Sequence, residues 1–139
     1  METFNRVFLS YAARDANHRS LLLAASRAAR LPVRFVEMPN HVTDPHSRRV
    51  LCLSKLQQCD LAIVLASPHA LRSASVAADL ATVREAGVPV HVFATDSAGG
   101  TMILPPEWEA ATVIPWHWPR IAAFLQRPQP CGARLLIAG

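Results

Sequence analysis

The sequence is short of several residue types whose absence narrows what it can do. Its 139 residues include one lysine, one tyrosine, five glycines and three cysteines. Cys52, Cys59 and Cys131 are too few and too unevenly spaced for a structural zinc site, and an odd number argues against a disulfide framework. The histidines are dispersed as well. His41 and His46 flank a loop and His117 lies between two tryptophans, in neither case with a third donor at ligand spacing. No metal is expected. No apolar run reaches the roughly 18–20 residues that span a bilayer. The opening Met1-Glu2-Thr3-Phe4 has no basic start followed by an apolar stretch, so no signal peptide is expected and the cytoplasm is the expected location. No Gly-rich segment follows any predicted strand, which removes a P-loop.

What remains is 51% apolar and 17% charged, a balance that suits one globular domain with a substantial core. The net charge of +4 and a pI near 9.6 attract anions in general. The basic residues are scattered from Arg6 to Arg134, however, and Arg48-Arg49 is the only adjacent pair. A nucleic-acid reader concentrates such charge on one element, so specific nucleic-acid recognition is not expected.

Short β-branched runs alternate with longer helical periods, the pattern of a parallel α/β sheet. Strands are predicted over Arg6 to Ser10, Val33 to Val36, Asp60 to Leu65, Val88 to Phe93 and Thr112 to Ile114. The near-continuous apolar third strand reads as central and covered on both faces. A first helix, capped by Asp15 or Asn17, runs to about Arg30 with Leu21, Leu22, Ala25, Ala28 and Ala29 inward. A second starts at a Ser47 cap and buries Val50, Leu51, Leu53 and Leu56. A third covers about Ser73 to Ala86 and stops at Gly87. A short turn surrounds Trp108, and a last helix covers about His117 to Gln126. Two stretches, Glu37 to His46 and Asp96 to Pro106, are long loops. Residues 1–127 form the domain and 128–139 a tail apolar enough to pack back onto it.

Five strands in this alternation predict a flavodoxin-like three-layer sandwich with strand order 2-1-3-4-5. Right-handed crossovers then place the ligand crevice at the carboxyl ends of the first and third strands, where the order reverses. Ser10, Tyr11 and Asp15 follow the first strand; Ser67, Pro68 and His69 follow the third. On the next helix Asp79 falls at the edge of the Val76–Leu80–Val83 stripe, beside Ser75 and Thr82. A carboxylate there is expected to be partly desolvated, with a raised pKa, and able to face the crevice. The plainer alternatives are a capping role for Asp15 and, for Asp79, a bond to a neighbouring arginine such as Arg72. Trp108, Trp116 and Trp118 read as core and edge anchors. A phosphorylatable receiver is excluded because Ser10-Tyr11 and Ala66-Ser67 stand where its acidic residues would be.

On these same residues the sequence resembles TIR domains, and within them the TIR-like branch that includes the Thoeris anti-phage proteins. R-V-F-L-S-Y-A-A-R-D (Arg6 to Asp15) is similar to the first TIR box. L-L-L-A-A-S (Leu21 to Ser26) and L-S-K-L-Q-Q-C-D-L-A-I-V-L (Leu53 to Leu65) resemble that branch's first helix and its passage into the central strand. S-A-S-V-A-A-D-L (Ser73 to Leu80), followed by E-A-G-V-P-V (Glu85 to Val90), matches the segment carrying the family's functional Glu. The likeness implies cleavage of NAD, as substrate, at the nicotinamide–ribose bond in anti-phage signalling. Asp79 would be the catalytic group stabilising the ribosyl cation, and Ser10, Tyr11, Asp15, Ser67 and Ser75 would bind the nucleotide. It also implies homo-oligomers through TIR–TIR contacts and a separate effector protein, with no cofactor. Two departures stand out: Asp79 replaces the family Glu and Ser75 the family Trp. The shorter carboxylate reaches over 1 Å less, a displacement worth about 10²-fold in rate where positioning matters. A second reading is therefore a non-catalytic TIR-like scaffold or nucleotide-sensing module. A third is a nucleoside deoxyribosyltransferase-like enzyme, whose nucleophile is normally Glu.

Overall fold

β3 (Leu61–Ala66) is buried along its whole length, as an uninterrupted Leu-Ala-Ile-Val-Leu-Ala run requires of a strand covered on both faces. Around it a computed structural model, which describes residues 5–39, 42, 44–95, 104, 108 and 112–126, builds a five-stranded parallel sheet. The order is β2 (Val33–Glu37), β1 (Asn5–Ser10), β3, β4 (Val90–Ala94) and β5 (Thr112–Pro115). Val7 is the partner of both Phe35 and Leu61, and Ser10 of Val64, so β1 and β3 end side by side where the order reverses.

Alternation of side chains about the sheet produces two cores. Phe8, Ala62, Val64 and Val92 face one way, against α2 (Pro45–Leu56) and α4 (Ala74–Glu85), where they meet Cys52, Leu56, Val76, Leu80 and Val83. Val7, Leu9, Ile63 and Phe93 face the other way, against α1 (Ala16–Ala28) and α5 (Trp118–Gln126), where they meet Leu22, Ile121 and Leu125. Trp108 is buried in the first core. The crossover rule thus sets α2 beside α4 on one face, and that neighbourhood decides the fate of Asp79.

Helix ends follow local chemistry, with some changes from expectation. Asp44, not Ser47, caps α2: its carboxylate accepts from the Ser47 N–H at 2.9 Å, and Pro45 fills the first helical position. Asp and Ser both suit an N-cap, and the proline placed directly after Asp44 settles the choice. The starting N–H group pulls the Asp44 carboxyl below its ordinary range. Ser73 caps α4, accepting from the Val76 N–H at 3.2 Å. A one-turn helix that the sequence pattern did not reveal, α3 (Pro68–Leu71), opens on Ser67, whose hydroxyl accepts from the Ala70 N–H at 3.0 Å.

α4 and α1 end in the same Schellman arrangement. In α4 the Gly87 and Val88 N–H groups donate to the Arg84 and Val83 carbonyls, and Gly87 takes the left-handed φ of +74°. In α1 the Arg30 and Leu31 N–H groups donate to Arg27 and Ser26, but the left-handed residue is Arg30, with φ +53°. A side chain there costs about 1 kcal/mol that glycine avoids.

Two predicted helix faces are corrected. Leu21 is 61% exposed, while Leu22 and Ser26 form the buried stripe of α1. Val50 is 51% exposed, and Cys52 and Leu56 are the buried residues of α2. In each case an i, i+4 stripe faces the sheet and the flanking leucine or valine rolls outward. Strand limits shift by a residue or two: β2 extends to Glu37, β3 runs 61–66 and β4 starts at Val90. Most of the predicted loop over Asp96 to Pro106, and residues 128–139, lie outside the described residues. No helix among the described residues is long and apolar enough to cross a membrane.

Candidate functional site

At the carboxyl ends of β1 and β3 four polar side chains are buried: Ser10, Asp15, Ser67 and Asp79. Burial without partners would cost each of them free energy, and they solve the problem in two separate pairs. Asp15 stands at the N-cap position of α1, but its side chain makes no capping bond. It turns inward and accepts a hydrogen bond from the Ser67 hydroxyl. That hydroxyl, also the cap of α3, ties the loop after β1 to the loop after β3.

Asp79 lies on the α2-facing side of α4, 4% exposed. Both carboxylate oxygens are clasped by Arg48 of α2: Nε donates to Oδ1 at 3.0 Å and Nη2 to Oδ2 at 2.8 Å. The Ser10 hydroxyl adds a long 3.4 Å bond to Oδ2, and Arg48 Nη1 donates to the Val42 carbonyl at 3.2 Å. A fork-on-fork pair is the strongest geometry available to these groups. The Arg48 side chain is 17% exposed, so the pair sits at the lip of the first core and not out in water. Burial pushes the Asp79 carboxyl above its ordinary range, against the opposing pull of the Arg48 bonds and charge and of Ser10. Nearby Cys52 feels the same burial and, secondarily, the Asp79 charge; its thiol is pushed up to about 12.

The raised pKa expected for Asp79 is therefore present, and so is the arginine partner, but the arginine is Arg48. Arg72 instead folds back on its own turn, donating to the Pro68 carbonyl at 3.2 Å. Glu85, further along α4, pairs with Arg49, a second and exposed tie between the two helices. The other expected ligand residues separate from this cluster. Tyr11 packs against the opposite core, where burial and the neighbouring Glu37 raise its pKa. Glu37 is held there by both forks of Arg19 at 2.7 Å. Ser75 is exposed on α4.

Space at this end of the sheet takes the form of an open cleft of about 410 Å³ lined by Ala12, Ala13, Arg14, His69 and Arg72. Its lining is basic, suited to an anion, and Asp79 is not part of it. Among the described residues no group of three or more His, Cys, Asp or Glu is placed to hold a metal. The residue missed by sequence reasoning is Arg48, and a signal for it existed. Once the strand order is drawn, α2 and α4 must neighbour each other on one face, so an acidic residue on the flank of α4 meets the first turn of α2.

No protein-family model and no curated protein match the sequence. Solved structures do match in shape. The TIR domain of a Toll-related receptor from Hydra magnipapillata is similar over 87% of this chain and 98% of its own, with a TM-score of 0.59 at 13% identity. A prokaryotic SEFIR domain is similar over 88% of this chain and 99% of its own, with a TM-score of 0.61 at 11% identity. At such identities the likeness concerns the fold alone. The fold is TIR-like.

Proposed function

We propose that this chain is a TIR-like interaction module whose acidic residue is structural, and that it works by associating with copies of its own fold. The observation that carries this reading is the closed Arg48–Asp79 fork. A carboxylate that must face a developing ribosyl cation needs its charge directed at open space. Here both oxygens are taken by a cation from the same chain, and the open cleft at this end of the sheet is lined by other residues. The neutralised pair locks α2 to α4 instead. An association role is further favoured by an apolar cleft of about 210 Å³ between α1 and α5, walled by Leu22, Trp116 and Ile121 and rimmed by exposed Leu21 and Trp118.

NAD cleavage at the nicotinamide–ribose bond, in the manner of the anti-phage branch, is the second reading. It is favoured by one observation, the convergence of Ser10, Asp15, Ser67 and Asp79 at the sheet's reversal point. On that reading an anionic nucleotide draws Arg48 away and frees Asp79. Sedimentation velocity over a concentration series separates the two when run on wild type, Asp79→Asn and the double variant Arg48→Leu/Asp79→Leu, with and without NAD. The module reading expects concentration-dependent association that both variants keep and NAD leaves unchanged. Association that requires NAD and disappears in both variants would overturn it.

A further inference from the structure

We propose that the amino end of the sheet, opposite the crevice, carries a binding site for a phosphate group borne on an apolar or aromatic body. The last turn of α1 and the start of β2 border a half-open hollow of about 590 Å³ there. Ser26, Arg27, Arg30 and Arg34 give it a polar side, Leu23 and Phe35 an apolar one, and no carboxylate is among its described lining residues. Three guanidinium-bearing residues border this one hollow, and guanidinium forks match phosphate oxygens.

Three observations go beyond a chance gathering of surface arginines. First, Arg27 and Arg30 have no side-chain hydrogen bond or ion pair among the described residues, as Arg14 and Arg120 also have none, so both guanidinium groups of the hollow's α1 side are available to a ligand, while Arg34 already has a partner. Second, the Ser26 hydroxyl, in a residue 4% exposed, is buried beneath this cavity with no hydrogen-bond partner. A buried orphan donor is destabilising unless something answers it. Third, Arg30 occupies the left-handed position that α4 gives to Gly87. Attraction to the helix dipole accounts for Arg27 in the last turn, but not for a strained arginine where glycine would be relaxed. The Schellman bonds of Arg30 and Leu31 already occupy the Arg27 and Ser26 carbonyls, so the negative end of α1 is partly covered against an incoming anion.

The apolar wall selects the body attached to the phosphate. Phenyl phosphate and inorganic phosphate are therefore the probes, titrated into the full chain by calorimetry, with vesicles of phosphatidylcholine carrying phosphatidic acid as a third arm. Phenyl phosphate is expected to bind at one site, about tenfold tighter than inorganic phosphate. Arg30→Gly should weaken it by at least about tenfold, the worth of one charge-assisted contact, with the thermal midpoint unchanged or raised. Ser26→Ala should weaken it by a few-fold. Vesicle binding that requires phosphatidic acid and is lost in Arg30→Gly would identify a lipid headgroup as the source; phenyl phosphate binding without it would identify a soluble ester. Absence of saturable binding overturns the proposal. So does binding that Arg30→Gly leaves intact, or that Arg72→Ala abolishes, since the latter would place the anion in the cleft at the other end of the sheet.

Discussion

Replacing Arg48 by leucine strands the Asp79 carboxylate inside the first core. Asp79 is left with the 3.4 Å bond from Ser10, having lost the 3.0 and 2.8 Å bonds that met its two oxygens. Removing one partner of a buried pair costs about 3–5 kcal/mol. Because the Arg48 side chain retains 17% exposure, water reaches part of the vacated site, and a loss near the lower end, roughly 3 kcal/mol, is expected. The loss should depend on pH. Burial already raises the Asp79 pKa above the ordinary 3.8, and without Arg48 nothing of comparable strength opposes it. A carboxyl whose pKa is higher folded than unfolded binds its proton more tightly in the folded state. Its contribution to stability therefore declines as pH climbs from the unfolded value through the folded one. Urea unfolding of Arg48→Leu should show a deficit that is largest at pH 7 and shrinks as the pH is lowered and Asp79 takes up its proton. The double variant Arg48→Leu/Asp79→Leu, with no charge left to desolvate, should recover most of the loss. A deficit under about 1 kcal/mol with no pH dependence would be the behaviour of a surface pair, and would refute the claim that this fork is a buried lock.

Ser67→Ala removes the partner of buried Asp15 and the cap of α3. It should cost about 1–3 kcal/mol in the same unfolding assay. His91, packed on Phe124 with its Nδ1 buried and unpartnered, has its pKa lowered by burial. A histidine held neutral in the folded state loses stability as pH falls below the ordinary 6.5 towards its lower folded value. His91→Phe should flatten that part of the stability profile, and a ring-proton NMR titration of His91 with an ordinary midpoint would contradict it. The Cys52 thiol, pushed up to about 12 and 1% exposed, should escape alkylation by iodoacetamide at pH 8 in the native protein and react once urea is added; peptide mapping reads both states.

Much of the fold was legible because its signals are local. The all-apolar run from Leu61 to Ala66 can sit only in a two-sided central strand, and Gly87 ends α4 as glycine at C′ commonly does. The order 2-1-3-4-5 was read from five strands alternating with helices, and crossover handedness then located the crevice. Side-chain destinations were less legible, because they depend on contacts between elements. Tyr11 follows Ser10 directly, yet the alternation of the strand sends the two to opposite cores. Asp15 reads as a cap by type and place, but the Ser67 hydroxyl across the sheet end competes for its carboxylate and wins. Asp79 was found as a desolvated acid at the edge of an apolar stripe. Its partner was not, since choosing Arg48 over Arg72 required knowing that α2 lies against α4 and that Arg72 returns to its own turn.

The most direct test of an acidic group spoken for by Arg48 is nicotinamide release from NAD, followed by chromatography across a range of protein concentrations that includes the associated form. The closed fork predicts no release above the protein-free blank at any concentration. Steady release from the wild-type chain that vanishes in Asp79→Asn would show that the carboxylate is free to act, and the account of it as a helix-to-helix lock would be wrong.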